Sequence, residues 1–221
     1  MFIKNYKKTK CSFSCNLFND NSNFLYWESK PVTEDEIEIV NYLNNNSVNK
    51  LPNILHIGIG NSYFAKHLTN YNSIDGISIS NNEILEAKKI NLPKYKSIFL
   101  NKLSANAFDV FKCIKYDYII DVNLKSYSCC EKAFRKMFND YSKMLNEKGS
   151  IISGKKGMNW SRMLKPVYRF SLKNFIYKRL KEFDGPESNK LKISECNYLA
   201  SINELKFNEI DGTNIVKFSK I

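Results

Sequence analysis

Polar residues collect at the ends of apolar runs in this chain, and those ends are where chemistry is expected. The run Ile54-Leu55-His56-Ile57 ends in Gly58-Ile59-Gly60-Asn61. Paired glycines at a strand's carboxyl end let the backbone turn sharply and let a ligand approach it without a Cβ in the way. Further on, Ser73-Ile74-Asp75-Gly76-Ile77-Ser78 leads to Glu83. That is about 20 residues past the glycines, where a nucleotide-binding crevice needs a polar or acidic group for a ribose. A third run, within YDYIIDVN over residues 116–123, ends in Asp121 and Asn123. A carboxylate closing a strand that is apolar on both faces is costly unless it bonds a ligand or a neighbouring donor.

The elements that must position these groups follow from periodicity and caps. Thr33 before Glu34-Asp35-Glu36 is a helix start, with a hydroxyl cap, acids in the first turn and a glutamate three residues on. A helix is expected from Ser62, with Phe64, Ala65 and Leu68 inward. The second strand is read as Ser73 to Ile79 and feeds a helix over Asn81 to Lys89. Pro93 separates this from a third strand, Tyr95 to Leu100. The fourth is Tyr118 to Val122, and its continuous apolar character predicts a central strand. After Cys129 and Cys130, the residues Ala133, Phe134, Met137, Phe138, Tyr141 and Leu145 recur at helical spacing, a core stripe. The fifth strand is Ser150 to Ser153. The tail predicts a cap at Ser194, a short helix and a hairpin turning at Asp211-Gly212.

The segments LHIGIGNS, DGISIS, YDYIIDVN and LNEKGSII fall in the order and approximate spacing of the nucleotide-binding half of class I S-adenosylmethionine-dependent methyltransferases. The chain resembles that family over roughly Leu51 to Ile221. The resemblance implies an α/β, Rossmann-like, seven-stranded and mostly parallel sheet with an antiparallel C-terminal hairpin and helices on both faces. It also implies S-adenosylmethionine lying across the strand ends, against Gly58, Gly60 and Asn61. The departures are specific. His56 stands where the family usually carries an acid, Ser78 stands where it usually carries a second, and Ser62 replaces a third glycine. GISISNNE looks like the GxTxSxxQ variant of the family, in which the ribose contacts would pass to Ser78 and Glu83, with Asp75 as the competitor. Asn101 and Lys102 occupy the place where the family holds the adenine. Asp121 is placed to meet the cofactor's amino group or the acceptor.

Transfer of a methyl group from a sulfonium needs no metal and is chiefly a positioning problem. Where the acceptor is a hydroxyl or amine, a base assists. Asp121, Asn123, Tyr127 and His67 are the candidates.

Length and composition bound the rest. A chain of 221 residues, 43% hydrophobic and 25% charged, is expected to form a single soluble domain. Residues 1–31 read as an N-terminal arm and 154–192 as an acceptor-side insertion, basic and rich in aromatics. The sequence has no apolar run long enough for a membrane span and no apolar signal core, which places it in the cytoplasm. Six cysteines and two histidines lack zinc-ligand spacing, so free buried thiols are expected. The net charge of +12 sits almost wholly in the second half.

These features point to a methyltransferase acting on a small-molecule or glycan-type acceptor, an anionic one being among the candidates. The runs HIGIGNS, IIDVN and SYSCC are loosely similar to methyltransferases of bacterial capsular or cell-surface polysaccharide synthesis. A nucleic-acid methyltransferase is the alternative, as is a fold relative that cleaves or senses S-adenosylmethionine. The acceptor and the oligomeric state are not specified by the sequence.

Overall fold

The structure, a computed structural model, describes residues 32–47, 50–104, 106–125, 131–159 and 190–221. Helix α1 (Glu34–Asn46) opens with a capping box. The Thr33 hydroxyl accepts from the Glu36 amide at 3.3 Å, and the Glu36 carboxylate accepts from the Thr33 amide at 2.8 Å. Strands and helices then alternate: β1 (Asn53–Ile57), α2 (Tyr63–His67), β2 (Ser73–Ser78), α3 (Asn81–Lys89) and β3 (Tyr95–Phe99). A 3-10 turn (Ala107–Phe111) leads to β4 (Tyr116–Ile120). The remainder is α4 (Glu131–Met144), β5 (Leu145–Gly154), α5 (Lys155–Asn159), α6 (Ile193–Ile202), β6 (Leu205–Glu209) and β7 (Ile215–Lys220).

The seven strands form one sheet in the order β3-β2-β1-β4-β5-β7-β6. The first five run parallel, and β7 pairs antiparallel with both β5 and β6. Successive β1 residues serve opposite faces. Leu55 and Ile57 join Phe108, Phe134, Phe138, Tyr141 and Phe218 in one core, while Ile54 joins Ile39, Leu43, Phe64, Ile120 and Ile152 in the other. A strand buried on both faces loses the polar alternation of a half-exposed one, as the sequence of β1 shows. The strand order reverses between β1 and β4. Their carboxyl ends therefore open a crevice between loops that leave in opposite directions.

Several boundaries differ from those expected. Strand β4 starts at Tyr116, whose ring is fully buried, and stops at Ile120, so Asp121 is the first residue beyond it. Strand β5 begins at Leu145, directly after α4, because Leu145 already pairs with Tyr116. Helix α6 starts before Ser194, with the Glu195 carboxylate accepting from the Lys192 amide at 2.8 Å. Cys196 is buried, but Cys113 is exposed, against the expectation of buried thiols. The arm 1–31 and most of the 154–192 segment lie outside the described residues, as do four of the cysteines. Among the described residues, no helix is long and apolar enough to cross a membrane.

Candidate functional site

The turn after β1 takes the conformation that its glycines permit. Gly58 and Gly60 have φ of +73° and +51°, and a Cβ built on Gly58 meets nothing within 4 Å. The space above Gly58 is thus open to a ligand. Ser62, in the third-glycine position, is also left-handed at φ 61°, a conformation that strains a residue with a Cβ. Its hydroxyl lies 2.9 Å from the Tyr95 hydroxyl on β3. Burial pushes the Tyr95 phenol up to about 12.

His56 lies beneath this turn, 3% exposed, with its ring edge-on to Phe64 at 4.6 Å and its Nδ1 without a hydrogen-bond partner among the described residues. Burial lowers its pKa to about 3, so the imidazole is neutral at physiological pH. The position where the resemblance expects an acid therefore supplies no charge.

A carboxylate stands on each side of this neutral strand. At the end of β2, Glu83 is 5% exposed. One of its oxygens accepts from the Ser78 hydroxyl at 2.6 Å and from the Gly60 amide at 3.1 Å. Ser80 caps α3, its hydroxyl accepting from the Glu83 amide, which fixes Glu83 in the first helical turn. Ser78 and Glu83, expected to share the sugar contacts, are thus in direct contact, and Glu83 also reaches Gly60 of the glycine turn.

At the end of β4, Asp121 is 2% exposed. Its Oδ2 accepts from the Lys102 ammonium at 2.7 Å and from the Tyr141 hydroxyl at 3.0 Å. Lys102 also donates to the carbonyls of Asn123 at 3.3 Å and Leu124 at 3.2 Å. Burial, and then the adjacent Asp121 charge, raises the Tyr141 phenol well above its usual value.

Other candidates are placed differently. Asp75 does not reach the strand end. It sits mid-strand, where the Tyr116 hydroxyl donates to it at 2.8 Å, whereas Glu83 reaches the glycine turn through the Gly60 amide. The Asn101 side chain accepts from the Leu103 amide, a turn contact. Asn61 lines a surface depression with Lys66 and Glu86.

His67, expected as a possible base, is not brought to the crevice. It is the last residue of α2, which leads away from the strand ends, and it is exposed and stacked on Tyr63 at 4.3 Å. Its carbonyl accepts from Asn44 near the end of α1. Tyr127 lies outside the described residues.

No family model and no curated protein matches this chain. Solved structures do match in three dimensions. Magnesium protoporphyrin IX methyltransferase (ChlM) from Synechocystis PCC 6803, with bound S-adenosylhomocysteine, superposes with a TM-score of 0.58 at 14% identity, covering 91% of this chain and 96% of that one. The N-methyltransferase NodS from Bradyrhizobium japonicum WM9, in complex with S-adenosylhomocysteine, gives 0.55 at 16% identity over 95% and 97%. CalS10, an amino pentose methyltransferase from Micromonospora echinaspora with bound S-adenosylmethionine, gives 0.57 at 8% identity over 89% and 94%. The fold is that of S-adenosylmethionine-dependent methyltransferases.

On that methyltransferase fold, three buried polar residues were not marked by the sequence. Tyr141 counts as core by helical spacing, yet its hydroxyl reaches Asp121; only its phenol, which needs a partner when buried, could have marked it. Lys125 is 2% exposed and pairs with Glu131 at 2.6 Å and Glu195 at 2.9 Å, tying the loop after β4 to α6. Burial pulls the Lys125 pKa down, but the two glutamates outweigh it and the net shift is upward. Asp35 reads as an ordinary first-turn acid, yet it is 1% exposed, with Oδ1 unpartnered among the described residues.

Proposed function

We propose that this chain is an S-adenosylmethionine-dependent methyltransferase with a small-molecule acceptor. The observation that carries this reading is the contact of Gly60, Ser78 and Glu83 across the ends of β1 and β2, beside open space over Gly58. A buried carboxylate held there suits a pair of ribose hydroxyls, which need a strong acceptor. Gly58 leaves room for the nucleoside, and the turn around Asn101 and Leu103 is the region for an adenine. The residues present fit the cofactor, although His56 gives its amino group no anionic partner.

When bound, the cofactor supplies a methyl group on a sulfonium, an excellent leaving group. The protein's part is to hold the acceptor in line and to exclude water. The Asp121 oxygen already carries an ammonium and a phenol, so it acts as a fixed hydrogen-bond acceptor that shapes the crevice. Asn123, half-buried and next to it, is a positioning group. A small acceptor is supported by NodS, ChlM and CalS10, whose names specify N-methyl, porphyrin and amino-sugar chemistry. An acceptor of glycan type, as in polysaccharide synthesis, is the narrower form of the proposal. A cytoplasmic location goes with it.

Titration calorimetry with S-adenosylhomocysteine tests the reading. The wild-type protein is expected to bind. Gly58→Val is expected to weaken binding at least about 100-fold, because a branched side chain would fill the open space and strain a left-handed turn. Equal affinity in the two proteins would falsify the assignment. Turnover of S-adenosylmethionine without any acceptor would instead indicate cleavage.

A further inference from the structure

We propose that Asp35 is a positioning residue for the crevice. Its carboxylate, wedged against Gly154 and Gly157, fixes the turn after β5 and, through that turn, the Val122–Asn123 segment. The proposal rests on the reading of the crevice as a cofactor site.

Asp35 belongs to the first turn of α1, outside the strand ends. An acid there normally faces solvent, where it complements the helix dipole at little cost. Here the carboxyl group is buried, and Oδ2 accepts from the Gly157 amide at 2.8 Å. A Cβ on Gly154 would collide with the Asp35 carboxyl group, so this glycine is what admits it. A Cβ on Gly157 would collide with the Val122 carbonyl, so α5 lies directly on the loop after β4.

The same carbonyl accepts from the Ser153 hydroxyl at 3.1 Å. Ile120 pairs with Ile152 in the parallel register, which puts Gly154 level with Val122. Val122 lies between Asp121, which receives Lys102 and Tyr141, and Asn123, whose carbonyl also receives Lys102. Contacts therefore run without a break from Asp35 through Gly157 and Val122 to the crevice wall.

The surroundings of Asp35 make this an expensive way merely to cap a helix. Burial above all, and then the charges of Glu38 and Glu36 on its own helix, push its carboxyl up, against the backbone amides of Gly157 and Lys156, which pull it down. On the facing segment, Lys156 is paired with Glu34 and Lys155 with Glu209. Among the described residues, Oδ1 meets no donor. A serine or asparagine would satisfy the Gly157 amide without burying a charge.

The test compares Asp35→Asn, which keeps an acceptor for the Gly157 amide, with Asp35→Ala, which removes it. Two quantities are read at a temperature where circular dichroism shows each protein folded: amide hydrogen exchange at Gly157 and Met158, and S-adenosylhomocysteine affinity by calorimetry. With Asp35→Ala, exchange is expected to accelerate about tenfold and affinity to fall several-fold; with Asp35→Asn, both should stay near wild type. A merely structural role would lower the melting temperature and leave the affinity of the folded protein unchanged.

Wild-type exchange and affinity in Asp35→Ala would overturn the proposal, and so would an asparagine that rescues neither. If Asp35→Ala does not fold, Gly154→Ala, which displaces the carboxyl group, is expected to show the same pair of losses, and its absence would count equally against the idea. If wild type binds no S-adenosylhomocysteine, the cofactor reading fails, and exchange at Gly157 alone still decides whether the contact holds the turn.

Discussion

The two buried carboxylates that flank β1 are held by different chemistry. Glu83 at the end of β2 takes a hydroxyl and a backbone amide, whereas Asp121 at the end of β4 takes an ammonium and a phenol. Neutral donors can be deleted singly at the cost of a hydrogen bond. Deleting a cation strands a charge away from water. The two sites occupy similar depths and equivalent ends of parallel strands, yet they should respond differently to the loss of one partner.

Lys102→Met is the most severe way to expose that difference. It leaves Asp121 buried beside a phenol alone, and should destabilise the protein by about 3 kcal/mol in urea denaturation. Adding Asp121→Asn should recover part of the loss, as coupled partners do. If the single variant unfolds at the wild-type midpoint, the two sites do not differ as described.

The strand between them carries its own titration. The His56 pKa is lowered by burial to about 3, against an unfolded value of about 6.5. The unfolded chain therefore binds more protons across that window. His56 contributes stability above pH 6.5 that is lost as pH falls toward 3, roughly 1.5 kcal/mol between pH 6.5 and 5. His56→Leu should flatten this part of the curve, and a variant with the wild-type slope would contradict the burial of a neutral ring.

A smaller effect is expected at the other carboxylate. Ser78→Ala removes one neutral donor from Glu83 and the acceptor of the Ser80 amide, and should cost about 1–2 kcal/mol in the same denaturation assay, below the effect at Lys102. Loss as large as that of Lys102→Met would erase the contrast. His67→Ala sits outside both sites and should change stability by less than about 0.5 kcal/mol and leave S-adenosylhomocysteine affinity unchanged. A drop in affinity would return His67 to the crevice.

Periodicity and turn chemistry made much of this architecture legible. The Thr33–Glu36 cap, the Gly58–Gly60 turn, the Asn81–Lys89 helix and the hairpin around Gly212 all rest on local signals, and they stand where the sequence put them. The start of β5 did not show, because Leu145 continues the helical stripe of α4 and only its pairing with Tyr116 assigns it to the sheet. The contact between Glu83 and Ser78 was readable from their spacing. The partners of Asp121 were not, since Lys102 lies 19 residues before it and Tyr141 lies 20 after it. Such contacts depend on which strands become neighbours, and one sequence does not encode that locally. Asp35 was hidden for the same reason, its glycines lying more than a hundred residues away.

The left-handed serine of the glycine turn bears on how this chain can change over generations. Ser62 keeps a strained backbone whose hydroxyl is matched to Tyr95 on the neighbouring edge of the sheet. A lineage that first replaces Ser62 with glycine relieves the strain and leaves unmatched only the hydroxyl of the half-buried Tyr95, which can then drift. A lineage that loses the Tyr95 hydroxyl first must pass through a protein with a strained residue and a buried, unmatched oxygen. The two substitutions lead to the same endpoint, but only one order is an easy path.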